Sequence, residues 1–184
     1  MTSALLYAYV VNPLKALQLY GSRKPWWEAA IVLALLSLAN CVQSEPWSVS
    51  DAFLISGLTF AGLAGVLILI AGVIDFSAQI MDLNAQSLKL FQWLALSLLP
   101  MALYLPLDLV IGAMPSAFGG LFQVSRIVIT AGVVLLQINT IKLLYRVSIG
   151  RSVFLYCVPI LVTVAVLAVV IVGFGLSLLM NLDF

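Results

Sequence analysis

Apolar residues run through this chain in blocks too long for the core of a water-soluble fold, and short polar stretches between the blocks carry most of the charge. A helix needs ~20 largely apolar residues to cross the hydrocarbon core of a bilayer. Five blocks approach or exceed that length, at about 26–43, 52–81, 88–112, 124–146 and 152–182. The first is the shortest. It opens on Trp26 and Trp27, whose indole rings suit the headgroup region, with Glu28 within reach of the same layer. The second carries no charge from Ala52 to Ile74 and is expected to continue past Asp75 to about Met81. The third contains Pro100 and Pro106, where the helix is expected to kink. The fourth is free of charge only from Ile127 to Ile141. The fifth has no charged residue and exceeds what a bilayer requires, so it is expected to tilt or protrude.

The segment before Trp26 does not read as a further span, because it holds Lys15, Arg23, Lys24 and Pro25. Asn12 can cap a helix that starts at Pro13. Leu14, Leu17 and Tyr20 then fall near one face, which suits a helix lying flat on the membrane surface. The expected fold is therefore all-α. An interfacial segment (1–25) with a short amphipathic N-terminal helix precedes a five-helix transmembrane bundle (26–184) of a polytopic membrane protein.

Composition agrees. Of 184 residues, 64% are hydrophobic and 8% charged, against about 25% charged in a soluble domain. The net charge of +1, without a basic run, gives no reason to expect a nucleic-acid partner. No histidine is present, which removes the commonest general base and metal ligand, and no cofactor is expected. Cys41 and Cys157 lie far apart and suggest no disulfide framework. Leu38-Ala39-Asn40-Cys41 resembles a lipoprotein box, but asparagine before the cysteine is atypical and no lipidation is expected.

Lysine and arginine accumulate on the cytoplasmic side of membrane proteins. With the N-terminus inside, that side holds Lys15, Arg23, Lys24, Lys89, Lys142, Arg146 and Arg151, and the outer side holds Arg126 with Glu45, Asp51 and Asp183. An N-in, C-out orientation follows.

Ionisable groups in a span cost roughly 2.5–3.5 kcal/mol at its centre, so each calls for an explanation. Asp108 and Arg126 lie near the outer ends of antiparallel neighbours and are expected to pair. Asp75 and Lys142 share a depth near the inner ends, and Asp75 is expected to pair with Lys142 or Arg146. Gln79, Gln137 and Asn139 can extend a polar cluster there. As binding candidates these reduce to Asp75, Asp108, Arg126, Asn139 and Lys142. Gly57, Ala61 and Gly65 recur every four residues and form a seam for close helix packing, within the bundle or between protomers.

Catalytic chemistry is not legible. A serine or zinc intramembrane protease needs histidine. An aspartyl protease needs two facing aspartates, whereas Asp75 and Asp108 lie toward opposite membrane faces. No internal repeat of the transporter kind is apparent.

Three stretches resemble the Yip domain family, membrane proteins named for their interaction with Ypt/Rab GTPases. They are Asn12-Pro13-Leu14-Lys15 with Lys24-Pro25-Trp26-Trp27-Glu28; Asp75-Phe76 with Ser87-Leu88-Lys89-Leu90-Phe91 and Leu96-Ser97-Leu98-Leu99-Pro100; and Ile141-Lys142-Leu143-Leu144-Tyr145-Arg146 with Arg151-Ser152 and Tyr156-Cys157-Val158-Pro159. The resemblance spans about 12–178 and implies five spans with a cytoplasmic N-terminus. Where family members often carry glycine after the second span, this chain has Asp82-Leu83-Asn84-Ala85. The long tail and the tyrosine-glycine-proline motif of eukaryotic members are missing, so a Rab-type GTPase is not the expected partner. The short form is similar to bacterial members of the inner (cytoplasmic) membrane.

The resemblance and the missing chemistry together favour a scaffold or adaptor without catalytic activity, held to a partner membrane protein or a second copy in the lipid of the membrane. The alternative is the handling of a lipid or small solute. A polar groove open to lipid would favour the alternative, and a dry, fully packed bundle would favour the scaffold.

Overall fold

The computed structural model describes residues 2–43, 48–112 and 119–180. Among them all regular structure is helical: α1 (Thr2–Val11), α2 (Pro13–Tyr20), α3 (Trp26–Gln43), α4 (Val49–Ile80), α5 (Ser87–Ser97), a 3₁₀ turn (Leu99–Leu103), α6 (Tyr104–Gly112), α7 (Gly119–Tyr145) and α8 (Ile149–Met180). Four stretches are long and apolar enough to cross a membrane: Val49–Ile80, Ser87–Val110, Phe122–Tyr145 and Ile149–Val172. Trp26–Val42 is a shorter apolar helix at the lower end of the roughly 17–25 residues a span requires. The chain is an all-α membrane bundle. The far end of the fifth expected span at 182, and the outer acidic residues Glu45 and Asp183, lie outside the described residues.

The helix starts follow local chemistry. The Asn12 side chain accepts from the Lys15 N–H at 3.1 Å, and Pro13 opens α2 with its fixed φ. Ser48 accepts from the Asp51 N–H at 3.2 Å and donates to the Asp51 carboxylate at 2.8 Å, which starts α4 three residues earlier than hydropathy alone suggests. The third span breaks at Pro100, in the 3₁₀ turn between α5 and α6. Pro106 causes no second break, because it falls in the first turn of α6, where an N–H has no intrahelical acceptor to lose.

The buried core gathers at the end of the bundle that carries the basic residues. Ile74 and Ala78 of α4, Leu90 and Leu94 of α5, Ile141 and Tyr145 of α7 and Leu155 of α8 meet there. A second cluster joins Leu5 and Tyr9 of α1 and Ala16 and Leu17 of α2 to Trp93 and Leu96 of α5. The α1–α2 hairpin is therefore seated on the bundle through Ala16 and Leu17, while Leu14 faces outward at 43% exposure. Burial pushes the Tyr9 phenol well above its usual pKa. Towards the other end burial falls away. Every residue of α8 from Ile160 to Val172 is exposed, as suits a surface solvated by lipid chains. Interhelical hydrogen bonds, which average about 0.6 kcal/mol each in membranes, tie α3 to α4 there: Asn40 donates to Thr59 at 3.1 Å, and the Ser37 and Ser56 hydroxyls lie 3.4 Å apart.

Candidate functional site

Asp75, in the last turns of α4, is 4% exposed. Its Oδ1 accepts from the Gln86 N–H at 2.6 Å and from the Tyr145 hydroxyl at 2.5 Å, and its Oδ2 accepts from the Gln79 amide at 3.0 Å. Gln86 in turn donates through its side chain to the Leu144 carbonyl at 3.2 Å. One carboxylate thus fastens the end of α4, the 81–86 link and the end of α7. This corrects the expected pairing, for Asp75 makes no ion pair with Lys142 or Arg146. A neutral phenol and an amide N–H satisfy the carboxylate without taking a second charge out of water, which costs several kcal/mol per ion. Gln79 joins this group as expected. Asn139 does not, because its amide bonds back to the Leu135 carbonyl of its own helix at 2.8 Å.

The two helices that Asp75 joins end in the same way. After α4, the Leu83 N–H reaches the Ala78 carbonyl and the Asp82 N–H reaches that of Gln79; after α7, the Val147 N–H reaches Lys142. These bonds mark Schellman-type ends, which place the residue after the cap in the left-handed region and favour glycine there. Here those residues are Asp82 (φ 58°) and Arg146 (φ 54°), the only non-glycine residues with positive φ among those described. Each such placement costs roughly 1–2 kcal/mol, least for Asp.

Both strained residues border one cavity of about 750 Å³ at the basic end of the bundle. Its polar lining consists of Gln18 and Ser22 from the α2 side, Asp82, Asn84, Lys89 and Arg146, together with Gln86 and the Tyr145 edge of the Asp75 network. Gly21 turns the chain at its rim, where a Cβ would stand 2.5 Å from the Leu17 carbonyl oxygen, so only glycine fits. Two cations and one carboxylate line the space, and Lys89 and Arg146 make no ion pair among the described residues. Lys142 lies one turn earlier on α7, half-buried, and is not part of the lining.

At the opposite end Asp108 and Arg126 pair as expected. A guanidinium nitrogen lies 3.2 Å from both carboxylate oxygens. The guanidinium also sits 4.2 Å from the Phe122 ring centroid and 5.5 Å from that of Tyr104. The Tyr104 hydroxyl lies 2.6 Å from that of Thr130. The pair is closed on itself and on rings, an arrangement that satisfies the charges and offers little to a ligand.

Beside the 3₁₀ break, an open and mainly apolar groove of about 420 Å³ runs between α3, α4 and the third span, with Asn40, Thr59, Tyr104 and Gln137 as its polar points. The Gly57–Ala61–Gly65 seam is not used inside the bundle: a Cβ built on Gly57 or Gly65 meets nothing within 4 Å, and Ala61 is exposed.

Sequence reasoning missed Tyr145 and Gln86 as partners of Asp75, and it missed Gln92. The Gln92 side chain is fully buried in α5, and neither amide atom has a hydrogen-bond partner among the described residues. Tyr145 could have been found by its depth, one turn from Lys142, whereas Gln92 gave no signal beyond being a lone polar residue in an apolar run.

No family model, curated protein or solved structure matches this chain. The resemblance to Yip domain proteins therefore rests on the residues that carry it.

Proposed function

We propose that this protein is a non-catalytic membrane protein that holds a lipid or a small polar solute at the basic end of its helical bundle. The supporting observation is the 750 Å³ cavity walled by Gln18, Ser22, Asn84, Lys89 and Arg146. A bundle serving only as a packed strut has no use for such a space, and two non-glycine residues stand in strained conformations at its rim. The Asp75 network holds the walls in place from behind. The apolar groove beside the 3₁₀ break gives room for an acyl chain elsewhere on the same bundle.

This reading includes a cytoplasmic location for the basic end, in line with the positive-inside rule, and the inner membrane of a bacterium as the home of a short Yip-like chain. Cysteine-reactive, membrane-impermeant labelling of a Ser22→Cys variant in intact cells tests the sidedness: protection until the cells are lysed supports it, and labelling in intact cells reverses it.

A second reading, a scaffold that binds a second copy of itself, draws on the outward Gly57–Ala61–Gly65 seam, which leaves room for another helix to approach closely. Native mass spectrometry of protein extracted from its own membranes separates the two. A monomer that retains one lipid or solute supports the ligand-holding reading. A defined homo-oligomer without bound ligand supports the scaffold.

A further inference from the structure

The cavity at the basic end has a charge pattern that narrows what it can hold. Lys89, on the first turn of α5, and Arg146, after the last turn of α7, both line it. Gln86 stands at the α5 cap without a side-chain cap bond, its amide being engaged by the Leu144 carbonyl. The positive end of the α5 dipole is met from behind by Asp75, which takes the Gln86 N–H, so the counter-charge facing the space comes from Lys89 and Arg146 themselves. Gln18, Ser22 and Asn84 supply neutral hydrogen-bonding groups around the same space. Against them stand Asp82 on the lining and Asp75 behind it, the latter already engaged by Gln86, Tyr145 and Gln79.

Arg146 adds an argument of its own. A helix end of this type is easiest to build with glycine, yet the position carries the residue best suited to grip a phosphate with two parallel N–H donors. A ligand-binding role for that side chain accounts for the exception.

We propose that this cavity is a binding site for a phosphate-bearing anion. The chemistry is shared by an anionic phospholipid headgroup and a free phosphorylated solute. The inference rests on the ligand-holding reading above and deepens it by naming the class of ligand. Lys89 and Arg146 provide the counter-charge, and Ser22 and Asn84 complete the hydrogen bonding. Asp82 opposes binding and sets an upper limit on affinity.

The test uses two substitutions whose effects on folding and on binding run differently. Arg146→Gly removes the guanidinium and relieves the left-handed strain. Asp82→Asn removes the opposing charge with a residue that also tolerates that conformation. Neither variant is expected to melt below the parent. The purified full-length protein in detergent is titrated in turn with inorganic phosphate, short-chain phosphatidylglycerol and short-chain diacylglycerol, with bound ligand read by native mass spectrometry.

The proposal expects Arg146→Gly to weaken anion binding by about tenfold, Asp82→Asn to tighten it several-fold, and the uncharged diacylglycerol to bind least. Saturation by inorganic phosphate alone identifies a soluble phosphorylated ligand, whereas binding only of phosphatidylglycerol identifies a headgroup. Anion binding indifferent to both substitutions overturns the assignment. So does diacylglycerol binding as well as phosphatidylglycerol and displaced by a bulky Ser22→Trp, although the ligand-holding reading then stands. If none of the three probes binds, the anion assignment falls. If protein taken from its own membranes also carries no lipid or solute, the ligand-holding reading falls with it.

Discussion

The Tyr145 hydroxyl donates to Oδ1 of Asp75 at 2.5 Å and joins the last residue of α7 to the end of α4 across 70 positions of sequence. The contact is buried, and the same oxygen also takes the Gln86 N–H. Deleting the phenol leaves a carboxylate with fewer donors in a site that water reaches poorly. Removing one partner of a buried hydrogen bond to a charged group costs about 1.5–3 kcal/mol. Tyr145→Phe is therefore expected to lower the melting temperature in detergent. A double-mutant cycle with Asp75→Ala, which removes the acceptor, should show the two losses to be non-additive, because each substitution disables the same bond. Additive losses would mean that the bond does not stabilise the fold.

Depth along a membrane helix is legible in a sequence, but rotation about its axis is much less so, and this separates the expectations that hold from those that do not. The long apolar helices, the break at Pro100 and the Asp108–Arg126 pair depend on depth and chain direction alone. The partner of Asp75 depends on azimuth. Lys142, Tyr145 and Arg146 sit within about one turn of one another, and each residue turns the helix by roughly 100°. A helix that is apolar nearly all round gives little signal for which of the three faces α4. The cavity was hidden for a different reason. It depends on left-handed turns at Asp82 and Arg146, where the usual sequence marker, glycine, is absent.

Asp108 and Arg126 are expected to stabilise the bundle modestly, because their side chains remain 24% and 45% exposed. Pairs of this openness contribute about 0.2–1 kcal/mol in water, with the ring contacts of Phe122 and Tyr104 in addition. Asp108→Asn should lower thermal stability in detergent, and exchanging the two residues should restore part of the loss. Unchanged stability in the single variant would show the pair to be energetically idle.

Gln92 presents the opposite case, a polar group whose removal should help. Its amide is fully buried without a hydrogen-bond partner among the described residues, and an unsatisfied buried group of this kind costs about 1–3 kcal/mol. Gln92→Met keeps the length of the side chain and removes both orphan atoms. Thermal unfolding should shift upward. A downward shift would reveal that the amide has a partner, such as a bound water, that methionine cannot replace.

The outward seam on α4 separates the stability of the fold from its association. Because a Cβ on Gly57 or Gly65 meets nothing within 4 Å, Gly57→Leu and Gly65→Leu are expected to leave the melting temperature of the monomer unchanged or slightly raised, since glycine inside a helix is roughly 0.5–1 kcal/mol worse than alanine. The same bulk would block close approach by a second helix, which small residues permit. Sedimentation of the parent and the two variants in detergent therefore reads association independently of folding. If the parent dimerises and the leucine variants do not, the seam is the contact between copies. If all three sediment as monomers with equal stability, the seam faces lipid, and the ligand-holding cavity stands without the scaffold.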